Sequence, residues 1–317
     1  MPAGRSIIGV ALAFALIAVS SSSSAQSLTG ALEWLPPGSL SLQALSTRPA
    51  EDLDGGAAQS FYVEYGRLAF RSPDILGGTA RKAGISCQAC HSNGFANTAF
   101  FVPDLSDRPG RIDVSHAFWN ARNEDGRFNP LTIPSLRGAA AKDRFGERRQ
   151  VTSLREFTRR VIVVEFAGEE PSPLLLDGLV AYLETLRPTV EADRPVLLED
   201  ELADAARYLK TLSLPLAEED TALANQIVRM IRGQLGFIHE RFADERLTGS
   251  RAALETWSRQ LARIGELADS GLWPEARSKL AELQDAVQAP PAAFAAEAPM
   301  SLYNPKLLQA WLSKPAR

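Results

Sequence analysis

The stretch Cys87-Gln88-Ala89-Cys90-His91 decides how the rest of the chain is read. Two thiols three residues apart reach the two vinyl groups of one haem and form thioether bonds, and the adjacent imidazole is carried beneath the iron as its proximal ligand. The pentapeptide holds both cysteines of the chain and one of its 3 histidines. It therefore nominates Cys87, Cys90 and His91 for a single covalent haem c, with His91 on the iron. Two alternatives stand beside this one: a plain Cys87–Cys90 disulfide in an exported protein, and a thioredoxin-like redox pair. The redox pair is expected at a strand-to-helix start within a βαβ unit, and no such strand pattern surrounds the motif.

Outward from the motif, residues 77–138 carry scattered Gly, Pro, Asn and Asp with few periodic runs. Such a stretch packs poorly on itself and becomes sensible where a large apolar cofactor fills the space. Before it, Phe61, Tyr65 and Leu68 at i, i+4 and i+7 predict a short helix ending near Ser72-Pro73. After it, Ser153 and Glu156 form a capping box ahead of the stripe Leu154, Phe157, Val161 and Val164. Ser172-Pro173 opens the next helix, whose stripe is Leu176, Leu179, Leu183 and Leu186 and whose stop is Pro188. A further helix is expected over 198–212.

Beyond Pro215 the chain becomes charged and alanine-rich, with amphipathic helices expected over 221–242, 250–268 and 274–287. Leu254, Trp257, Leu261 and Ile264 alternate spacings of three and four, the pattern of an antiparallel bundle or hairpin stack. Residues 289–299 read as an Ala/Pro linker, and Tyr303, Leu308 and Trp311 mark a tail that docks back on the body. At the other end, Arg5, the uncharged apolar run over 7–19 and the small residues Ser23-Ser24-Ala25 read as a signal peptide over 1–25. That run is too short for a comfortable membrane span; an uncleaved anchor is the alternative, and no later segment reaches spanning length. Residues 26–58 read as an irregular arm. The expected fold is all-α: a haem domain over 59–214, then an accessory helical region over 215–317. The protein is expected to be exported, with the periplasm as its leading location in a bacterial cell.

Composition narrows function only slightly. The 317 residues are 45% apolar and 23% charged with a net charge of −4, which suits a globular chain and argues against a nucleic-acid partner.

The segments around the motif also carry a family resemblance. Tyr65 through His91, Asp125-Gly126-Arg127-Phe128, Ile133-Pro134-Ser135-Leu136-Arg137-Gly138, Thr152-Ser153-Leu154-Arg155-Glu156 and the closing 179–186 together resemble one haem domain of the bacterial di-haem cytochrome c peroxidase superfamily. The methylamine-utilisation-type di-haem enzymes belong to the same superfamily. The resemblance covers about residues 60–190. It implies an all-helical cytochrome c fold wrapped around the haem, with Cys87, Cys90 and His91 carried over directly. The family usually carries two such motifs, whereas this chain has one pair of cysteines, so it resembles a single-haem relative. Phe145-Gly146-Glu147-Arg148-Arg149 stands where the family commonly has a histidine-aspartate-glycine triplet, and Val161 lies near the position of a methionine ligand. Peroxide cleavage needs two electrons, and a lone haem draws the second from a radical or from another protein.

The sixth iron position is thus open to several donors. His116, 25 residues after His91 and inside the loop-rich stretch, is the leading distal candidate; its alternative is an ordinary loop histidine. Met230, His239 and Met300 follow, with Met230 expected in core and His239 in solvent. Arg137 and Arg111 are the candidate partners of the haem propionates, or else exposed charges. Trp119, Phe100, Phe101 and Phe118 are candidate pocket lining. Three functions fit: electron transfer by an exported c-type cytochrome with a redox partner protein, a peroxidase-type oxidoreductase, and a haem-bearing assembly or sensor subunit whose helical region docks a protein.

Overall fold

The structure, a computed structural model, describes residues 41–54, 60–146, 149–188 and 192–313. The signal peptide and the first part of the arm lie outside the described residues.

Short polar side chains start several of the helices. Ser41 Oγ accepts from Ala44 N ahead of α1 (Leu42–Ser46), which runs into β1 (Thr47–Pro49). Residues 41–54 are therefore more regular than an irregular arm. Ser60 caps α2 (Phe61–Phe70), where Tyr65 and Leu68 are fully buried and Phe61 stacks on Tyr65 with ring centroids 5.5 Å apart. Two short helices follow, α3 (Gly78–Lys82) and α4 (Cys87–Cys90), and then two short strands pair antiparallel, β2 (Arg111–Ile112) with β3 (Leu131–Thr132). Ser153 Oγ accepts from Glu156 N at 3.3 Å and opens α5 (Leu154–Arg160), which widens into a π-helical turn over Val161–Glu165. Ser172 caps α6 (Pro173–Thr185), and β4 (Asp193–Pro195) returns to pair antiparallel with β1.

The frame of the first half is the crossing of α2 and α6. A Cβ on Gly66 would lie 1.8 Å from the Gly178 carbonyl oxygen, so only glycine lets the two backbones meet. One turn further on, the Phe70 and Tyr182 rings pack with centroids 5.2 Å apart.

The second half stacks α7 (Leu198–Thr211), the short α8 (Ser213–Ala217), α9 (Thr221–Arg241), α10 (Thr248–Asp269) and α11 (Trp273–Gln288). The stripe Leu254, Trp257, Leu261 and Ile264 is buried as its spacing predicts. Residues 289–299 do not form a plain linker. They contain α12 (Ala292–Glu297), whose Phe294 is buried against Trp257 and Phe242, an anchor that alanine-rich composition masks. The tail forms α13 (Pro305–Leu312) and docks back: Leu308 and Leu302 pack on Leu45 of α1.

The described residues are mostly helical and no helix among them is long and apolar enough to cross a membrane. One apolar core runs without a break from Tyr65 and Leu179 through Leu209 and Ile231 to Leu283, so packing is continuous across 214–215.

Candidate haem-attachment site

Helix α4 is a single turn. Ala89 N donates to Ser86 O at 3.0 Å and His91 N to Cys87 O at 2.8 Å, which sets the two cysteine side chains at i and i+3 on the same side. Both thiols are free and half-buried. Burial pushes each up to about 12, assisted at Cys90 by its neighbour Cys87, so both are neutral thiols at pH 7 rather than the thiolates of a reactive redox pair.

His91 leaves the helix at φ −125°, ψ 68°, and its Nδ1 lies 3.0 Å from the Pro134 carbonyl oxygen. A carbonyl only accepts, so Nδ1 carries the proton and donates it, leaving the Nε2 lone pair bare. Burial lowers the imidazole to about 4, with the Pro134 bond opposing, so it is neutral at pH 7. This tautomer, fixed by an outer carbonyl, is the form in which a histidine ligates a metal. Pro134 belongs to the segment that carries the family resemblance, 43 residues from His91 in sequence.

The chain then turns sharply through Asn93 at φ 49° and Gly94 at φ 84°. Gly94 fits tightly: an added Cβ would meet Leu186 Cδ1 at 2.7 Å. Leu136 N donates to Gly94 O at 2.8 Å, and Asn97 reaches back with Nδ2 to Ala89 O at 2.8 Å. These bonds bring the loop at 133–138 alongside α4.

The remaining candidates are placed as follows. Arg137 is buried, with Nη1 donating to Arg187 O at 2.9 Å, Nη2 to Ala50 O, and its guanidinium 4.1 Å from the Phe95 ring centroid. Arg111 pairs with Asp107 at 3.0 Å and donates to Pro130 O. Both forks thus engage protein acceptors. His116 Nδ1 accepts from Phe118 N at 3.0 Å, so its proton sits on Nε2 and the ring, as placed, has no free lone pair. Trp119 and Phe100 are buried, Trp119 Nε1 donating to Asp113 O at 2.7 Å, while Phe101 and Phe118 are partly exposed. Met230 is core and Met300 is exposed. His239 is buried on α9, 3.4 Å from Glu255, rather than in solvent, because the helix turns that face toward α10.

One feature escaped the sequence. Arg67 and Arg71, one turn apart on α2, lie buried with Glu51 and Asp204, at 2.5 Å and 3.0 Å from Arg67 and at 3.0 Å and 2.5 Å from Arg71. Tyr182 OH donates to Glu51 at 2.7 Å, and Arg71 reaches Tyr208 OH at 2.9 Å. Two arginines at i and i+4 at the C-terminal end of a largely apolar helix were the available signal.

Among the described residues, no three His, Cys, Asp or Glu side chains converge as the ligand set of a metal ion. No family model matches the chain, and neither a curated protein nor a solved structure matches it.

Proposed function

We propose that the chain is an exported c-type cytochrome that carries one haem on Cys87 and Cys90, takes His91 as proximal ligand, and transfers electrons to and from a partner protein. The observation that carries this is the 3.0 Å bond from His91 Nδ1 to the Pro134 carbonyl, which bares Nε2 beside two free, neutral thiols on one helical turn. The donor set fits a haem better than a bare ion. A porphyrin brings four nitrogens of its own and asks the protein for one or two axial ligands, whereas a structural zinc asks for four protein ligands. When bound, the haem supplies one-electron ferric/ferrous chemistry. The protein's part is to hold and orient: Pro134 sets the His91 ring, and Cys87 and Cys90 pack against the apolar core to which Ala89 and Ile85 belong.

A peroxidase-type oxidoreductase is the second reading, favoured by His116. With its Nδ1 occupied by Phe118 N, it offers no lone pair for a sixth iron position, and a vacant position admits peroxide.

The purified protein is expected to keep haem stain after denaturing electrophoresis, and Cys87→Ala with Cys90→Ala to lose it. An unstained wild type overturns the assignment. A low-spin ferric spectrum with no carbon monoxide binding supports the electron carrier. A high-spin form that binds carbon monoxide and turns over peroxide moves the second reading ahead.

A further inference from the structure

We infer that Asn93 is the positioning residue of the attachment motif and that Arg71 is its fixed anchor; this rests on the haem assignment above. Asn93 is 3% exposed and bonds through its backbone N, Oδ1 and Nδ2 to three different segments. Its backbone N donates to Gln88 Oε1 at 3.0 Å, and Gln88 Nε2 returns to Asn93 Oδ1 at 3.1 Å. Gln88 sits between the two cysteines, so this reciprocal pair ties the middle of the motif to the residue just beyond His91. Asn93 Nδ2 donates to Pro49 O at 2.8 Å, at the end of β1. Arg71 Nη2 donates to the same Oδ1 at 2.8 Å.

The anchor does not move easily. Arg71 is held by Asp204, Tyr208 and Glu51 as well, so its guanidinium is fixed from α7 and from the segment after β1 at once. The left-handed backbone at Asn93, φ 49°, is a conformation that asparagine tolerates better than most residues. Between Cys87 O, which accepts from His91 N, and Gly94 N, which donates to His91 O at 3.0 Å, the backbone of His91 is pinned on both sides. Pro134 then sets the ring. Asn93 fixes where the imidazole starts and Pro134 where it points, so the direction of Nε2 is set in the protein and not by the cofactor.

Asn93→Gly separates the side chain from the backbone, since glycine keeps the left-handed turn and loses the three side-chain bonds. In the haem-loaded full chain, amide exchange in a peptide covering residues 88–97 should rise at least tenfold, with no change in α10. The ferric electron paramagnetic resonance signal should broaden or split as the axial imidazole samples more than one orientation. Asn93→Asp keeps the Oδ1 acceptor for Arg71 and Gln88 but turns an oxygen toward Pro49 O, so it should recover both readouts in part. Wild-type exchange and an unchanged signal in Asn93→Gly overturn the inference. An equal rise in exchange across α6 and α10 also overturns it, because the residue would then serve general stability. Should the wild type carry no covalent haem, the haem assignment fails, while exchange in 88–97 still decides the clamp.

Discussion

Replacing Glu51 by glutamine removes one charge from the buried cluster and keeps its shape. The carboxylate is 2.5 Å from Arg67 Nη2 and 3.0 Å from Arg71 Nη2, and its side chain is 11% exposed, with the arginines at 4% and 7%. In Glu51→Gln the two guanidinium groups keep Asp204 as their close counter-charge, with Glu64 farther off at 3.7 Å from Arg67, and the new amide turns donors toward donors. Breaking a buried pair from one side costs about 3–5 kcal/mol, which in a chain of this size lowers the melting temperature by on the order of 10 °C. The pH dependence has a definite sign. Burial alone would raise the Glu51 carboxyl, but Arg71 and Arg67 outweigh it and hold it well below the usual carboxylate range. A lowered folded value adds stability above the unfolded value of about 4.3, and that stability is lost as pH falls through and below it, at up to about 1.4 kcal/mol per pH unit. Thermal and urea unfolding of wild type and Glu51→Gln between pH 7 and pH 3 should show a large gap at pH 7 that narrows on acidification. A gap under about 1 kcal/mol at pH 7, or one that stays constant to pH 3, refutes the assignment of a stabilising buried network.

Gly66→Ala tests the helix crossing: helix propensity favours alanine by about 1 kcal/mol, but a Cβ 1.8 Å from Gly178 O forces α2 and α6 apart. A net loss of about 2–3 kcal/mol is expected by urea unfolding with an unchanged slope, and a neutral or stabilised variant would count against the crossing. Glu165→Gln tests the π-helical turn, because burial raises the Glu165 carboxyl to about 6 despite Arg160. The folded state then resists ionisation, so the variant should match wild type near pH 4 and gain on the order of 1 kcal/mol by pH 8; equal stability at both pH values would contradict this.

The candidate motif and the helix starts were legible because they depend on local chemistry. Cys87, Cys90 and His91 stand adjacent in sequence, and Ser60, Ser153 and Ser172 each satisfy backbone donors within three residues. What was not legible depends on partners distant in sequence. The Pro134 carbonyl that selects the His91 tautomer lies 43 residues away, and Asp204 lies 137 residues from Arg67. Glu51 falls in the stretch read as an irregular arm, and nothing within 26–58 shows that α2, α6 and α7 lie around it. The short helix around Phe294 failed for a different reason. Its one large side chain gives no periodicity, and only Trp257 and Phe242 reveal what it anchors.

The helices after residue 215 bear directly on the half that carries Cys87, Cys90 and His91. Tyr65 OH on α2 donates to Gln226 Oε1 on α9 at 2.7 Å, Arg229 pairs with Asp74 at 3.2 Å, and Gln234 Nε2 donates to Arg71 O at 3.0 Å. The last bond satisfies a carbonyl at the C-terminal end of α2, where no intrahelical donor remains. It falls on the same residue whose guanidinium holds Asn93. Arg71 therefore receives its backbone support from α9, its charge balance from Glu51 and Asp204, and passes its position to the turn after His91. Removing residues 215–313 would strip the apolar faces of α2 and α7 and loosen that anchor together. The first role of these helices is then to complete the fold that presents His91, and any partner they dock acts through a surface built on top of that one.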